Sequence, residues 1–248
     1  MLPTITMTAP DFPLVEPGND VARMVLDNMP FAFQDGDIVA LAQKIISKSE
    51  GRYAALSTIT PSTRANELAE IAQKDPRVVE LILRESSEIL RVRPGIIISL
   101  HRRGWIMANA GIDASNVDDD DHVLLLPEDP DASAEKIRTF VRNETGREIG
   151  VLITDSWGRP WRMGSVGFAI GAAGIPSLVD LRGKPDLRGR FLQHTDVGTG
   201  DELASATSLL MGQANEGRPM VVVRGFRCSA PARNAGDLIR PAEIDLFR

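Results

Sequence analysis

Short, wholly apolar runs along this chain alternate with stretches whose apolar positions recur every three or four residues. Ile38-Val39-Ala40-Leu41-Ala42, entered through the turn signal Asp35-Gly36-Asp37, reads as a strand buried on both faces. Pro61-Ser62-Thr63 opens a helix with Leu68, Ile71 and Ala72 on one stripe. Asp75-Pro76 starts another, the acid as N-cap and the proline at its tolerated first position, with Val78, Val79, Ile82 and Leu83 as its apolar face. Strands are predicted at 96–100, 106–108 and 123–126. A helix from Pro130-Asp131 carries Ile137, Phe140 and Val141 and is ended by Gly146. A buried strand over 149–154 stops at Asp155. From Gly158 to Gly200 glycine is frequent, which predicts loops and short, closely packed elements. Asp201 caps a helix through Leu203, Ala206, Leu209 and Leu210 to about Asn215; Gly217 ends it, and 220–223 is a last core strand. Strands and helices mix without a βαβ rhythm, so the expected class is α+β, with mixed sheets and packed helices.

The 248 residues suffice for a sizeable core, and the expectation is one domain across 1–248. A net charge of −6 argues against a nucleic-acid-coating role, which needs clustered Lys and Arg. The longest apolar runs are strand-sized, so no membrane span is expected. Met1 to Pro10 lacks a basic start and a long apolar stretch, which speaks against a signal peptide. One cysteine, Cys228, cannot form an intrachain disulfide. The expected location is the cytoplasm.

The candidate chemistry narrows by what is missing. There is no G-x-x-x-x-G-K-[ST], H-E-x-x-H or Cys-x-x-Cys, so neither a P-loop nor a zinc site is expected. His101, His122 and His194 are isolated and read as surface or hydrogen-bonding residues. Oxygen chemistry remains. Asp113 follows Asn109-Ala110-Gly111-Ile112, and Asp155-Ser156 stands where a buried strand ends; such carboxylates suit Mg²⁺ or Mn²⁺. Taken singly, Asp113 reads more readily as a turn acid and Asp155 as a loop cap, and Asp118 to Asp121 as a solvated loop. Gln43, Lys44 and Lys48 follow the first strand, with the lysines one helical turn apart; they form either a polyphosphate cradle or a solvated face. Gly158-Arg159-Pro160-Trp161-Arg162 is either a clamp for a flat anionic ligand or a packed turn. The polar groups of Met211 to Arg218 are explained as well by helix termination.

Together these segments resemble the coenzyme F420-0:L-glutamate ligase family. The resemblance rests on Pro17-Gly18-Asn19-Asp20, Asp35-Gly36-Asp37, Gln43-Lys44-Ile45-Ile46-Ser47-Lys48 and Ala110-Gly111-Ile112-Asp113-Ala114-Ser115-Asn116. It continues through Asp155-Ser156-Trp157-Gly158-Arg159-Pro160-Trp161-Arg162, Gly167-Phe168-Ala169-Ile170-Gly171, Asp201-Glu202-Leu203-Ala204-Ser205-Ala206, Met211-Gly212-Gln213 and Val223-Arg224-Gly225. The pairing of G-I-D-x-S-N with D-[ST]-x-G-R-P-W-R is its specific part. The matching segments span about residues 11 to 226, and the tail after Arg227 lies outside them.

The resemblance implies GTP-dependent addition of L-glutamate to the terminal carboxylate of coenzyme F420-0, with further γ-linked glutamates possible. It implies Mg²⁺ or Mn²⁺, assisted by K⁺, and an unusual α+β fold forming an intertwined homodimer. Carried over residue by residue, Asp113, Asp155, Ser156 and Gln213 match metal positions. Gln43, Lys44, Lys48 and Asn116 match GTP contacts, as do Met211, Gly212, Gln213, Ala214, Asn215, Glu216, Gly217 and Arg218. Phe12, Pro13, Leu14 and Val15 fall where the family also touches nucleotide, here without the usual L-P-E-I wording, which leaves backbone contacts. Ser156 stands where many relatives have Thr, and either offers a hydroxyl oxygen. GTP would phosphorylate the acceptor carboxylate, and the glutamate amine would attack the acyl phosphate; metals and lysines supply positioning and charge neutralisation. No side chain is singled out as a general base. Arg159 and Arg162 would meet substrate carboxylates. Two alternatives are a carboxylate–amine ligase with another acceptor, and a non-catalytic F420 or nucleotide carrier.

Overall fold

The structure, a computed structural model, describes residues 3–113 and 121–246. In chain order the elements are β1 (Thr6–Thr8), α1 (Val21–Asp27), β2 (Ile38–Ala42), α2 (Gln43–Ser49), β3 (Tyr53–Ala55), α3 (Thr63–Ala72) and α4 (Pro76–Glu85). They continue with β4 (Ser86–Arg93), β5 (Ile96–His101), β6 (Ile106–Ala108), β7 (His122–Leu124), α5 (Pro130–Thr145), β8 (Gly150–Arg159) and β9 (Arg162–Ala173). The last are β10 (Val179–Asp180), β11 (Asp196–Val197), α6 (Thr199–Met211) and β12 (Met220–Arg224). The α+β expectation holds: helices pack on mixed sheets.

The main sheet has the order β1-β12-β2-β8-β9, with β2 and β8 parallel and the other pairs antiparallel. Both faces of its centre are covered, which is why β2 and β8 read as continuous apolar runs. Val39, Leu41, Val151 and Ile153 pack on one side with residues of α1, α2 and α5, such as Val25, Ile46 and Ile137. Ile38, Ala40 and Leu152 pack on the other with Leu203 and Ala204 of α6. Each fully buried aliphatic side chain here contributes about 1.5–3 kcal/mol.

Local signals set the helix boundaries. Asp75 accepts from the N–H of Arg77 and Asp129 from that of Ala132, each with proline next in the chain. Gly146 ends α5 in the left-handed region. A second sheet, β4-β5-β6, packs on α3 and α4, and β3 pairs with β7.

Four expectations need correction. Loops and two-residue strands do fill 174–198 as expected, but the stretch before them is regular: β8 runs on to Arg159, and β9 is a twelve-residue strand. Its glycines mark close packing, because a Cβ at Gly167 would stand 2.3 Å from the Ala204 carbonyl oxygen and one at Gly171 2.4 Å from that of Pro130. The strand predicted to stop at Asp155 continues through it, paired to β9. The last helix starts at Thr199 and ends at Met211, where Gly212 turns the chain with φ 76°, short of Asn215 and Gly217. Ile71 and Leu209, assigned to apolar stripes, are exposed.

Candidate functional site

The site forms where β2 stops and β8 does not. Ala42 pairs with Thr154, after which the β2 chain turns into α2, whereas β8 goes on paired only to β9. The next two residues, Asp155 and Ser156, therefore sit at an opened edge beside the carboxyl end of β2. In parallel α/β arrangements such crevices are where ligands bind. Asp155 lies on the side of Ile153 and Trp157, whose side chains pack into the core below; Ser156 lies on the α6 side.

Two other segments close on this edge. Lys44, in the first turn of α2, places Nζ 2.6 Å from Asp113 Oδ2, each side chain about a third exposed (32% and 30%). Asp113 is fixed by its backbone, which exchanges two hydrogen bonds with Leu124 of β7 (3.0 and 2.8 Å). Both Asp113 and Lys44 act electrostatically on Asp155. Desolvation is the main effect there and pushes the Asp155 carboxyl up to about 6; the Ser156 backbone N–H opposes it, the Asp113 charge adds to it, and Lys44 counters it. From the α6 side, Gln213 Nε2 donates to Ser156 Oγ at 3.1 Å, and Met211 sulfur lies 3.7 Å from Thr154 Oγ1.

Asp113, Asp155, Ser156 and Gln213, from three separate segments, are thus gathered with Lys44 around one strand edge. The donor set is two carboxylates, a hydroxyl and an amide, suited to a hard cation that retains water or phosphate oxygens. Among the described residues no group of three or more His, Cys, Asp or Glu is placed to hold a metal, so any cation here depends on the neutral oxygens as well.

The remaining predicted residues divide. Gln43 is buried, its Oε1 accepting from the Ser47 hydroxyl at 2.8 Å, so its side chain locks the start of α2 and faces no opening. Lys48 is half-buried one turn beyond Lys44. Asn116 lies outside the described residues, as do Asp118 to Asp120. Asp121 accepts from the Ser57 N–H and hydroxyl, a turn role. Phe12 and Val15 pack into the core and Leu14 is 91% exposed. Their segment is tied to the far end of α2 through the Gly18 N–H to Ser49 O bond.

The loop from Gly212 to Arg218 carries a feature the sequence reading did not find. The Glu216 carboxylate folds back to accept from the Ala214 N–H (2.9 Å), its own and that of Gln213, which hold it below the usual carboxylate range. Backbone amides converging on one carboxylate make a concavity that suits an anion. The clustered Gln213-Ala214-Asn215-Glu216-Gly217 was its only signal. A second missed feature is the run Asn109, Ala110, Gly111, three consecutive residues at φ 52°, 53° and 70°, which aims the chain at Asp113. Trp157 and Phe168, beside Asp155, stack with centroids 4.4 Å apart and 3° between planes.

The profile of one family, described as F420-0:Gamma-glutamyl ligase, matches residues 11–225. The chain belongs to this family. It is 47% identical to the coenzyme F420:L-glutamate ligase of Methanothermobacter thermautotrophicus over 95% of both chains. To the enzyme of that name from Methanopyrus kandleri it is 48% identical, over 94% of this chain and 93% of the other. To that from Haloarcula marismortui it is 43% identical, over 95% and 92%. Membership in the ligase family makes this chain a ligase by descent. Among the described residues no helix is long and apolar enough to cross a membrane.

Proposed function

We propose that this protein is a GTP-dependent ligase that joins L-glutamate to the terminal carboxylate of coenzyme F420-0. The gathering of Asp113, Asp155, Ser156, Gln213 and Lys44 at the end of β2 carries the reading. Asp113, Asp155, Ser156 and Gln213 would hold Mg²⁺ or Mn²⁺, which when bound neutralises charge building on the phosphates; K⁺ would assist. Lys44 and Lys48 would bear on the nucleotide phosphates, and the amides that now hold Glu216 would face the same anion. Asn116 and the 12–15 segment would touch nucleotide on the strength of the family resemblance alone, whereas Gln43, buried with its Oε1 on the Ser47 hydroxyl, would act by locking the start of α2.

A carboxylate is a poor acyl electrophile. The γ-phosphoryl group would pass to the F420-0 carboxylate oxygen, giving an acyl phosphate and GDP. The glutamate amine would attack the carbonyl carbon, forming the amide and releasing phosphate and a proton. The chain's task is to align the two acids and screen their charge, as phosphoryl transfer requires. Arg159, whose Nη1 donates to Gly164 O across the β8–β9 turn, and Arg162 beside it would receive substrate carboxylates.

We also propose a cytoplasmic homodimer. The exposed Trp161 and Met163 on the β8–β9 turn, and Leu187 and Phe191 between β10 and β11, are apolar groups on protruding hairpins that a second copy would cover. The test of function is direct. Protein incubated with GTP, Mn²⁺, glutamate and F420-0 should yield a product heavier by one glutamyl residue, with GDP and phosphate in equal amount. Ligand binding without GDP release would sink it in favour of a carrier, and glutamylation of other acids only would reassign the acceptor.

A further inference from the structure

Lys44 sits where a metal's charge is wanted. Its Nζ is 2.6 Å from Asp113 Oδ2, and both Asp113 and Lys44 lie close enough to Asp155 to act on it electrostatically. Two carboxylates gathered at one strand edge repel, and the ammonium of Lys44 compensates them. A carboxylate has lone pairs enough for both a lysine and a divalent cation, but two positive charges held on the one Asp113 carboxylate repel, so a cation arriving there is opposed by the Lys44 ammonium at 2.6 Å. The ammonium can move, because Lys44 is about a third exposed and reaches Asp113 from a flexible four-carbon stem rooted in the first turn of α2.

We propose that Lys44 is an exchangeable counter-ion: it occupies Asp113 until a divalent cation displaces it, and it then transfers its charge to the phosphate chain that arrives with the cation. The inference rests on the metal and nucleotide reading given above and adds a thermodynamic consequence to it. A cation arriving alone must compete with Lys44, whereas a cation arriving with phosphates gives the displaced lysine a new partner. Nucleotide and cation are then positively coupled through this one side chain. Lys48, a turn further along α2, makes no ion pair among the described residues and does not take over the Asp113 role.

The experiment is a Mn²⁺ titration of the nucleotide-free full-length protein, followed by the electron paramagnetic resonance of free Mn²⁺. Wild type is compared with Lys44→Gln, Lys44→Arg and Asp113→Asn. Lys44→Gln should bind Mn²⁺ about tenfold or more tightly than wild type, within the usual 5–150-fold range of site coupling. Lys44→Arg should stay near wild type, and Asp113→Asn should bind more weakly. Equal affinity in Lys44→Gln and wild type, with Asp113→Asn still weakened, overturns the counter-ion role and leaves the metal site standing. Unchanged binding in Asp113→Asn overturns the metal site, and the counter-ion role with it. Cooperative thermal unfolding certifies each variant, and Lys44→Met, which keeps the apolar stem, replaces Lys44→Gln should the latter fail that check.

Discussion

Gly167 of β9 faces the main chain of Ala204 in α6 with no room for a side chain: a Cβ there would stand 2.3 Å from the Ala204 oxygen and 2.7 Å from its carbonyl carbon. The Ser205 hydroxyl also donates to the Gly167 carbonyl at 2.8 Å, so strand and helix are locked at this crossing. The same helix delivers Met211 to Thr154 and Gln213 to Ser156. Gly167→Ala must push α6 off the sheet. It should cost about 1–3 kcal/mol, the usual scale of overpacking, and should cut ligase turnover by displacing Gln213. Gly158→Ala, which meets nothing within 4 Å, is the control. Urea denaturation of both variants checks the contrast, and equal stability would refute the close-packing account.

Asp155→Asn should abolish turnover without unfolding the protein. Burial and the neighbouring Asp113 both disfavour its charge, so the neutral amide relieves the metal-free fold. Losing one of two carboxylates from the proposed cation site should lower kcat by roughly 100-fold or more, the scale on which removing a charge-stabilising group acts. Steady-state kinetics paired with a melting curve make the measurement. Activity near wild type would remove Asp155 from the site.

How much of this was legible from the residues can be argued element by element. β2 and the start of β8 declared themselves because a strand covered on both faces needs apolar residues at every position. Asp75-Pro76, Asp129-Pro130 and Gly146 fixed helix ends by local chemistry, which sequence carries directly. β9 was missed because its glycines, the usual mark of loops, are there to admit α5 and α6, a tertiary cause that no local pattern reports. The position of Asp155 inside a strand was hidden for a similar reason: β8 outruns β2 and keeps only its β9 partner. At the site, the residue types were visible and their meeting was not. Lys44 and Asp113 join through the Asp113–Leu124 bridge and the turn into α2, both of which are long-range features.

Glu85 predicts a pH dependence of stability. Desolvation alone would raise its pKa, but the His101 contact and the charges of Arg102 and Arg52 together outweigh it, so the carboxyl is held below the usual range. His101 Nδ1 accepts from the Arg103 N–H (3.1 Å), which leaves the proton on Nε2, 3.6 Å from Glu85 Oε2. A carboxyl with a lowered folded-state pKa stabilises the fold above its unfolded value, and that contribution disappears as pH falls through the folded one. Glu85→Gln should therefore destabilise by about 1–3 kcal/mol at pH 7, the cost of leaving a buried partner unsatisfied. The difference from wild type should vanish well below pH 4. Denaturant midpoints at the two pH values test it, and a gap that persists in acid would exclude the charge as its source.

Asn109 predicts a separation between backbone and side-chain effects. It adopts φ 52° at the head of the left-handed run that ends at Gly111, and its Oδ1 accepts from the Ile97 N–H of β5 at 3.1 Å. Asparagine tolerates this conformation better than most residues, and alanine pays roughly 1 kcal/mol or more for it. Asn109→Ala loses both the conformational preference and the acceptor for a part-buried N–H; Asn109→Gly keeps the backbone at ease and loses only the acceptor. The alanine variant should be the less stable of the two, with wild type above both. Because the turn aims Ile112 and Asp113 toward Leu124 and Lys44, the alanine variant should also bind Mn²⁺ more weakly than the glycine variant. Should the two variants match in both stability and Mn²⁺ affinity, the left-handed turn is not what sets the position of Asp113.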